Sequence, residues 1–166
     1  MADTMPPNGA TANSMPSSLA IAVNLQYVKD LSFENPRAPH VFMPSEQQPQ
    51  VQVNVDVGAR QLAENTYEVT LSLNAEAKAG DQPVFVVELV YAGIFTMPVL
   101  PQEQLRPLLL IECPRLLFPF ARAIIADATR DGGFPPLMIN PIDFAALYRR
   151  QPQEQPQAAA ADAGTA

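Results

Sequence analysis

The sequence predicts an α+β fold: a four-stranded antiparallel sheet with a long crossover between strands 1 and 2, a principal helix packed on it and a short C-terminal helix. Two observations support this fold. In the first ninety residues, apolar and polar side chains alternate with period two, which is typical of half-buried strands. After residue 100, apolar residues recur at spacings of three and four, which is typical of an amphipathic helix.

The first strand is expected over residues 20–34, because its apolar residues share odd parity. Lys29 interrupts that apolar face, so a β-bulge or a position at the sheet rim is expected there. Residues 35–49 contain Pro36, Pro39, Pro44 and Pro49 and are too many for a hairpin turn. This segment is therefore interpreted as a crossover. The odd-parity apolar residues of the strand are Ile21, Val23, Leu25, Tyr27, Leu31 and Phe33.

The next three strands are expected over residues 50–57, 66–76 and 83–92. The first two alternate without interruption, so each has one apolar and one polar face. Hairpins would join the three strands, which makes the sheet antiparallel. Residues 83–92 are apolar on both faces except at Glu88, which predicts a strand that is covered on both sides or meets another subunit.

A short helix is expected over residues 101–112 and the principal helix over residues 113–133. Pro114 suits a first helical turn, whereas Pro119 predicts a bend or a late start. The helix should end at the Gly132–Gly133 pair. A final helix is expected over residues 142–150, with Asn140 as a plausible N-cap. The apolar face of the principal helix consists of Leu117, Phe120, Ala121, Ile124, Ile125 and Ala128.

The charge distribution excludes some partners. The chain of 166 residues has a net charge of −7, which argues against nucleic acid and favours a basic protein partner or simple solubility. Residues 20–92 carry nine acidic and four basic residues, a net of −5, and residues 93–150 carry five acidic and six basic residues, a net of +1. The predicted sheet is therefore the acidic half. Its polar face would carry Asp30, Glu34, Asp56, Glu68 and Glu88.

Other features of the sequence indicate a single domain over residues 20–150, between a disordered arm (1–19) and a disordered tail (151–166). An apolar run long enough to span a membrane is missing, as is a secretion signal, so a cytoplasmic protein without membrane insertion is expected. Neither a nucleophile motif nor a phosphate-binding loop nor a Cys/His cluster is found, which argues against an enzyme and leaves no candidate metal ligands. His40 is interpreted as a loop residue bonded to backbone, and Cys113 as a packed apolar thiol.

Three segments together resemble one known family: YVKDLSFENPRAPHVF (27–42), FVVELVYAGIF (85–95) and CPRLLFPFARAIIADATRDGGFPPLMINPIDFAALY (113–148). They are similar to SecB, the bacterial protein-export chaperone, over residues 20–150. The resemblance implies a homotetramer, built as a dimer of dimers, with no catalysis and no required cofactor. Such a protein holds precursors unfolded and delivers them to the ATPase SecA. The resemblance also implies that the SecA contact falls on Asp30, Glu34, Val86 and Glu88; a slightly larger aliphatic residue is common at Val86. The alternative for this acidic face is an ordinary solvated surface.

The residues themselves also favour a binding protein, since a four-stranded sheet and one helix form a small core for so much apolar sequence. Surplus apolar surface indicates interaction sites. Part of it is expected at an oligomer interface, where strands pair across a dimer and principal helices pack between dimers; the candidates are Val87, Leu89, Tyr91, Ile124 and Ile125. A groove for unfolded polypeptide clients is expected where the crossover, the sheet rim and residues 134–142 meet. Its candidate lining residues, for each of which core packing is the alternative, are Tyr27, Val41, Phe42, Phe118, Phe120, Phe134, Leu137, Met138 and Ile139.

A second interpretation remains open at the level of the sequence. An α+β protein of this size could close its helix over an apolar pocket and bind a lipid or another small hydrophobic ligand. Such a protein would bind one ligand per subunit. A chaperone would instead bind unfolded polypeptides of many sequences and ignore their folded forms.

Overall fold

A computed structural model describes residues 21–151. Four strands, β1 (Ala22–Glu34), β2 (Gln50–Ala63), β3 (Thr66–Ala79) and β4 (Gln82–Thr96), form one antiparallel sheet in the order β1-β4-β3-β2. Residues 35–49 carry the chain from one edge of the sheet to the other, so the predicted crossover is confirmed. The predicted disordered arm (1–19) and tail (151–166) lie outside the described residues, apart from Gln151.

The helical half begins with α1 (Gln102–Pro107), continues through a π-helical turn (Leu108–Glu112) and enters α2 (Cys113–Asp131). The residues at both junctions have α-helical backbone angles. Residues 102–131 therefore form one continuous helical run. The π turn ends two residues before Pro114, which has no N–H to continue the regular hydrogen-bond series.

Helix α2 runs through Pro119, so the late start expected there is wrong. Leu117, Ala121 and Ile125 are fully buried against the sheet, and this packing outweighs one missing backbone hydrogen bond. The helix ends as predicted at its glycine pair. Gly133 has a φ of +93°, and the Phe134 N–H donates to the Thr129 carbonyl.

The last helix is α3 (Phe144–Arg150), two residues shorter than predicted. Its N-cap is Asp143, whose carboxylate accepts a hydrogen bond from the Ala146 N–H at 3.0 Å. The expectation that Asn140 caps this helix is therefore wrong. Helix α3 packs on the π-helical turn, and its first residue, Phe144, also contacts Phe118 of α2.

The hydrophobic core lies between α2 and one face of the sheet. Odd-numbered residues of β3 and β4 point toward the helix, as shown by the approach of the Leu117 side chain to Gly93. The even-numbered residues form the opposite face, here called the open face. The largest fully buried side chains of the core are Phe95, Phe144, Leu71, Leu73, Leu89, Leu117, Ile125, Val69 and Val87.

Strand β1 departs from the alternation that its sequence suggests. Its pairing with β4 has register irregularities between Val23 and Leu25 and between Val28 and Asp30. The second confirms a bulge at Lys29. Leu31 pairs with Leu89 on the helix side, whereas Tyr27 pairs with Ala92 on the open face. The expectation that all odd-numbered residues of β1 share a face is therefore wrong, because the extra residue reverses the alternation.

Candidate binding surfaces

The four residues that the resemblance assigns to SecA lie together on the open face. In the pairing of β1 with β4, Glu34 is opposite Val86, Ser32 is opposite Glu88, and Asp30 is opposite Val90. Paired residues of antiparallel strands present their side chains on the same face. Asp30, Glu34, Val86 and Glu88 therefore form one group, here called the acidic patch.

The acidic patch borders a shallow depression of about 270 Å³ on the same face. Asp30 and Glu88 lie on one side of it, and Asp56 adds a third carboxylate from β2. Glu88 accepts a hydrogen bond of 2.7 Å from the side chain of Asn74. Both Asp30 and Glu88 are exposed, so their charge is available to a cationic partner.

Glu68 also lies on the open face, but unlike Asp30 and Glu88 it is not exposed to solvent. Its side chain is buried, at 2% relative exposure, and accepts hydrogen bonds from the Tyr27 hydroxyl, from Lys29 at 2.9 Å and from Arg60. These donors, chiefly Tyr27 and Lys29, lower the pKa of Glu68 to about 2. The same bond to Glu68, together with burial, raises the pKa of Tyr27. The alternation pattern alone predicts only that Glu68 points away from the core.

A second surface lies on the helix side of the same strands. Phe134, just after α2, has ring centroids at 5.0 Å from Phe85, 5.3 Å from Phe42 and 6.3 Å from Phe33. These four rings, here called the aromatic cluster, join the crossover to the sheet and to the end of α2. Phe42 is half exposed. The cluster therefore presents apolar surface where the sequence predicts the client groove.

Room for this cluster depends on the glycine pair after α2. A Cβ atom at Gly132 would lie 2.2 Å from the Phe33 ring, and one at Gly133 would lie 2.9 Å from the Phe42 ring. Both distances are too short for real contacts. The glycines that end the helix therefore also let two aromatic rings approach its end.

The segment after α2 is held by a buried hydroxyl. Thr129, which is fully buried, accepts a hydrogen bond of 2.9 Å from the Leu137 N–H and donates to the helix carbonyls of Ile125 and Ala126. Leu137 is half-buried, Ile139 is buried, and Met138 between them is 57% exposed. The bond therefore fixes a strip in which Met138 is presented to solvent.

The remaining groove candidates lie apart. Val41 packs on the core beside the aromatic cluster, while Tyr27 lies on the open face. Phe118 is buried against Phe144, with ring centroids 6.1 Å apart. Phe120 is half exposed on α2 and stacks on Tyr91 at 6.4 Å. The structure thus groups Val41, Phe42 and Phe134 at the aromatic cluster, with Leu137, Met138 and Ile139 in the strip that follows Phe134. It separates Tyr27, Phe118 and Phe120 from them.

The candidate interface residues divide by burial. Val87, Leu89 and Ile125 are at most 1% exposed inside the single subunit. Because α2 and the sheet already cover them, they leave no side-chain surface for direct contact with a partner. Tyr91 is also mostly buried, whereas Ile124 is partly exposed. Leu116 and Phe120, two turns and one turn before Ile124 on α2, are 43% and 51% exposed.

Cys113 is buried, whereas His40 is exposed. Cys113 is fully buried, and desolvation, with a smaller effect of Glu112, raises its thiol pKa to about 12. Its interpretation as a packed thiol is confirmed. His40 is exposed in a 3₁₀ turn (His40–Phe42), where its backbone carbonyl accepts the Met43 N–H.

Residues 21–151 lack the features of a metal site or of a membrane-spanning helix. That range contains no group of three or more His, Cys, Asp or Glu side chains placed to bind a metal ion. None of its helices is both long and apolar enough to cross a membrane. Two depressions, of about 250 and 270 Å³, lie on the open face. The small hydrophobic ligand considered from the sequence would instead lie between α2 and the other face of the sheet.

Comparisons with known proteins identify the family. The family described as preprotein translocase subunit SecB matches residues 14–155. The protein-export protein SecB of Rhodopseudomonas palustris (strain BisB5) is 53% identical over 150 residues, which cover 90% of this chain and 94% of the relative. That of Rhodospirillum centenum is 57% identical over 145 residues, covering 87% and 86%.

The fold is also that of a solved SecB-like protein. A SecB-like chaperone from Mycobacterium tuberculosis, in complex with a ChAD peptide from the HigA1 antitoxin, superimposes with a TM-score of 0.62 at 16% identity and covers 74% of this chain and 90% of its own. At that identity the likeness concerns the fold alone. The match to the family over most of the length, with relatives above 50% identity, shows that this chain belongs to the SecB family of protein-export proteins.

Proposed function

We propose that this protein is an export chaperone that holds precursor polypeptides unfolded in the cytoplasm and delivers them to SecA. The observation that carries this proposal is the placement of two different surfaces on opposite faces of the same pair of strands. Phe33 and Phe85 belong to the aromatic cluster, and their chain neighbours Glu34 and Val86 belong to the acidic patch. One subunit can therefore hold an apolar chain and a basic partner at once.

Client binding would use the aromatic cluster and the strip that contains Met138. Unfolded chains expose aromatic and aliphatic side chains on an extended backbone, and flexible methionines adapt to such varied shapes. Burial of about 500 Å² of apolar client surface contributes roughly 12 kcal/mol before ordering costs. This surface requires no catalytic group and no cofactor.

Delivery would use the acidic patch as a dock for a basic segment of SecA. A variant with Asp30→Asn, Glu34→Gln and Glu88→Gln should lose SecA affinity at low salt and keep its affinity for unfolded clients, because the changes lie on the open face. The matched control neutralises three exposed acids elsewhere: Glu46→Gln, Glu103→Gln and Asp131→Asn. Equal SecA affinity in both triple variants would show that the patch is not the dock.

The assembly is proposed to be a homotetramer, a dimer of dimers, with exposed parts of α2 between the dimers. Phe120→Asp with Ile124→Asp should reduce the assembly, since both side chains are at least partly exposed in the single subunit. Native mass spectrometry tests the whole proposal. A tetramer that takes up an unfolded precursor but not its folded mature form is expected. A monomer that carries a small co-purified mass would favour the ligand-binding alternative.

A further inference from the structure

Glu68 connects three strands of the open face through one carboxylate. It lies on β3, yet Tyr27 and Lys29 reach it from β1 across the intervening strand β4, while Arg60 reaches it from β2. The crossing is possible because Ala92, the β4 residue paired with Tyr27, has only a methyl side chain and is fully buried. The network therefore ties β1 to the far side of the sheet.

The two β1 donors lie at the bulge. Tyr27 is the last residue on the open face before it, and Lys29 is the extra residue, skipped in the pairing between Val28 and Asp30. The side-chain alternation of β1 reverses at this point. If the bulge moved past Asp30, that residue would change its face of the sheet, because a one-residue shift exchanges the two faces. The acidic patch therefore depends on where the bulge is held.

We propose that Glu68 is a positioning residue: it anchors Tyr27 and Lys29, keeps the bulge at Lys29, and so keeps Asp30 and Glu34 beside Glu88 on the open face. The identity of the partner that benefits, SecA, rests on the proposed function. Glu68 is too buried to contribute a contact of its own to a docked protein. Its effect on docking is therefore transmitted through β1.

The arrangement suits a permanent anchor. Two cations and a hydroxyl satisfy the carboxylate, which offsets the cost of burying it. The lowered pKa of Glu68 keeps it charged at any pH that a cell maintains. Lys29 and Arg60 remain 42% and 67% exposed. The two cations therefore stay hydrated while they pair with the buried carboxylate of Glu68.

The test uses the full chain with Glu68→Gln, with Tyr27→Phe as a milder variant that keeps the ring. The control is Glu76→Gln, which removes the same charge from the same strand and face. Glu76 is partly exposed and pairs with Lys78 of its own strand at 3.0 Å, so it does not link β1 to β3. Amide hydrogen exchange is measured over residues 30–34 and over the β2–β3 hairpin. Affinity for SecA at low salt and for an unfolded precursor is measured in parallel.

Faster exchange confined to residues 30–34 is expected in Glu68→Gln and, to a smaller extent, in Tyr27→Phe. SecA affinity of Glu68→Gln should fall about tenfold below that of the control, as for the loss of well-placed charge pairs, with unchanged affinity for the precursor. A general loss of structure would lower both affinities together, and that result would overturn the proposal. So would equal exchange in Glu68→Gln and Glu76→Gln. If the unaltered protein does not bind SecA, the proposed function fails, while the exchange data still decide the role of Glu68.

Discussion

The hydroxyl of Thr129 is predicted to determine how firmly the segment after α2 is held. Thr129→Val keeps the shape of the side chain and removes its hydroxyl. The half-buried N–H of Leu137 then loses its acceptor at 2.9 Å. The two helix carbonyls that accept from Thr129 can keep their backbone hydrogen bonds. Losing the Thr129 hydroxyl therefore costs these carbonyls little free energy. The expected decrease in the free energy of unfolding is about 1–3 kcal/mol, the cost of an unsatisfied buried polar group.

Urea unfolding measures this decrease. With a slope of about 1–3 kcal/mol per molar urea, the midpoint should fall by roughly 1 M. The protein concentration must be the same for all variants, because the stability of an oligomer depends on it. Amide exchange at Leu137 reports the local effect and should become faster in Thr129→Val.

Thr129→Ser is the matched control, since it removes a methyl group but keeps the hydroxyl. Its midpoint should also fall somewhat, because the lost methyl group is buried, but the Leu137 amide should stay protected. The two variants therefore separate the hydrogen bond from packing. Unchanged protection of Leu137 in Thr129→Val would refute the idea that the hydroxyl holds this segment.

Three further predictions follow from the described residues. The thiol of Cys113, with its pKa raised to about 12, should react with a thiol reagent only as fast as the protein unfolds; rapid labelling of the native protein at neutral pH would contradict its burial. Glu68 has a folded pKa of about 2, below its ordinary value of 4.5, so its contribution of about 3 kcal/mol is present above pH ~4.5 and is lost as the pH falls toward 2. Glu68→Gln should therefore flatten the acid side of the stability curve, and equal curves would exclude this linkage. Phe134→Ala, which removes the ring shared by Phe42 and Phe85, should weaken binding of an unfolded chain by about tenfold, whereas Leu62→Ala on the exposed hairpin should not; similar losses in both variants would remove the aromatic cluster from the client site.

Much of the fold could be predicted because its signals are local. The alternation of Val51, Val53, Val55 and Val57 identifies β2, since a half-buried strand exposes every second residue. The glycine pair after α2 marks its end, since Gly133 adopts a left-handed conformation at little cost. The acidic patch could be predicted only through the family resemblance. Alternation alone shows that Asp30 and Glu34 share a face, not that Val86 and Glu88 lie beside them.

Only the tertiary structure decided which side chains of different strands and helices contact each other. Because of the bulge at Lys29, Tyr27 lies on the open face, although its odd number matches Leu31 and Phe33 on the helix side. The pairing of the strands, and not the spacing of residues along the chain, sets this arrangement. Glu68 looks like any outward-pointing acid until donors from two other strands cover it. Asn140 and Asp143 both suit a helix cap by residue type. Helix α3 begins at Phe144, so Asp143 is the residue at the N-cap position. Local physics therefore determined the elements of this protein, while contacts between residues far apart in the sequence determined its surfaces.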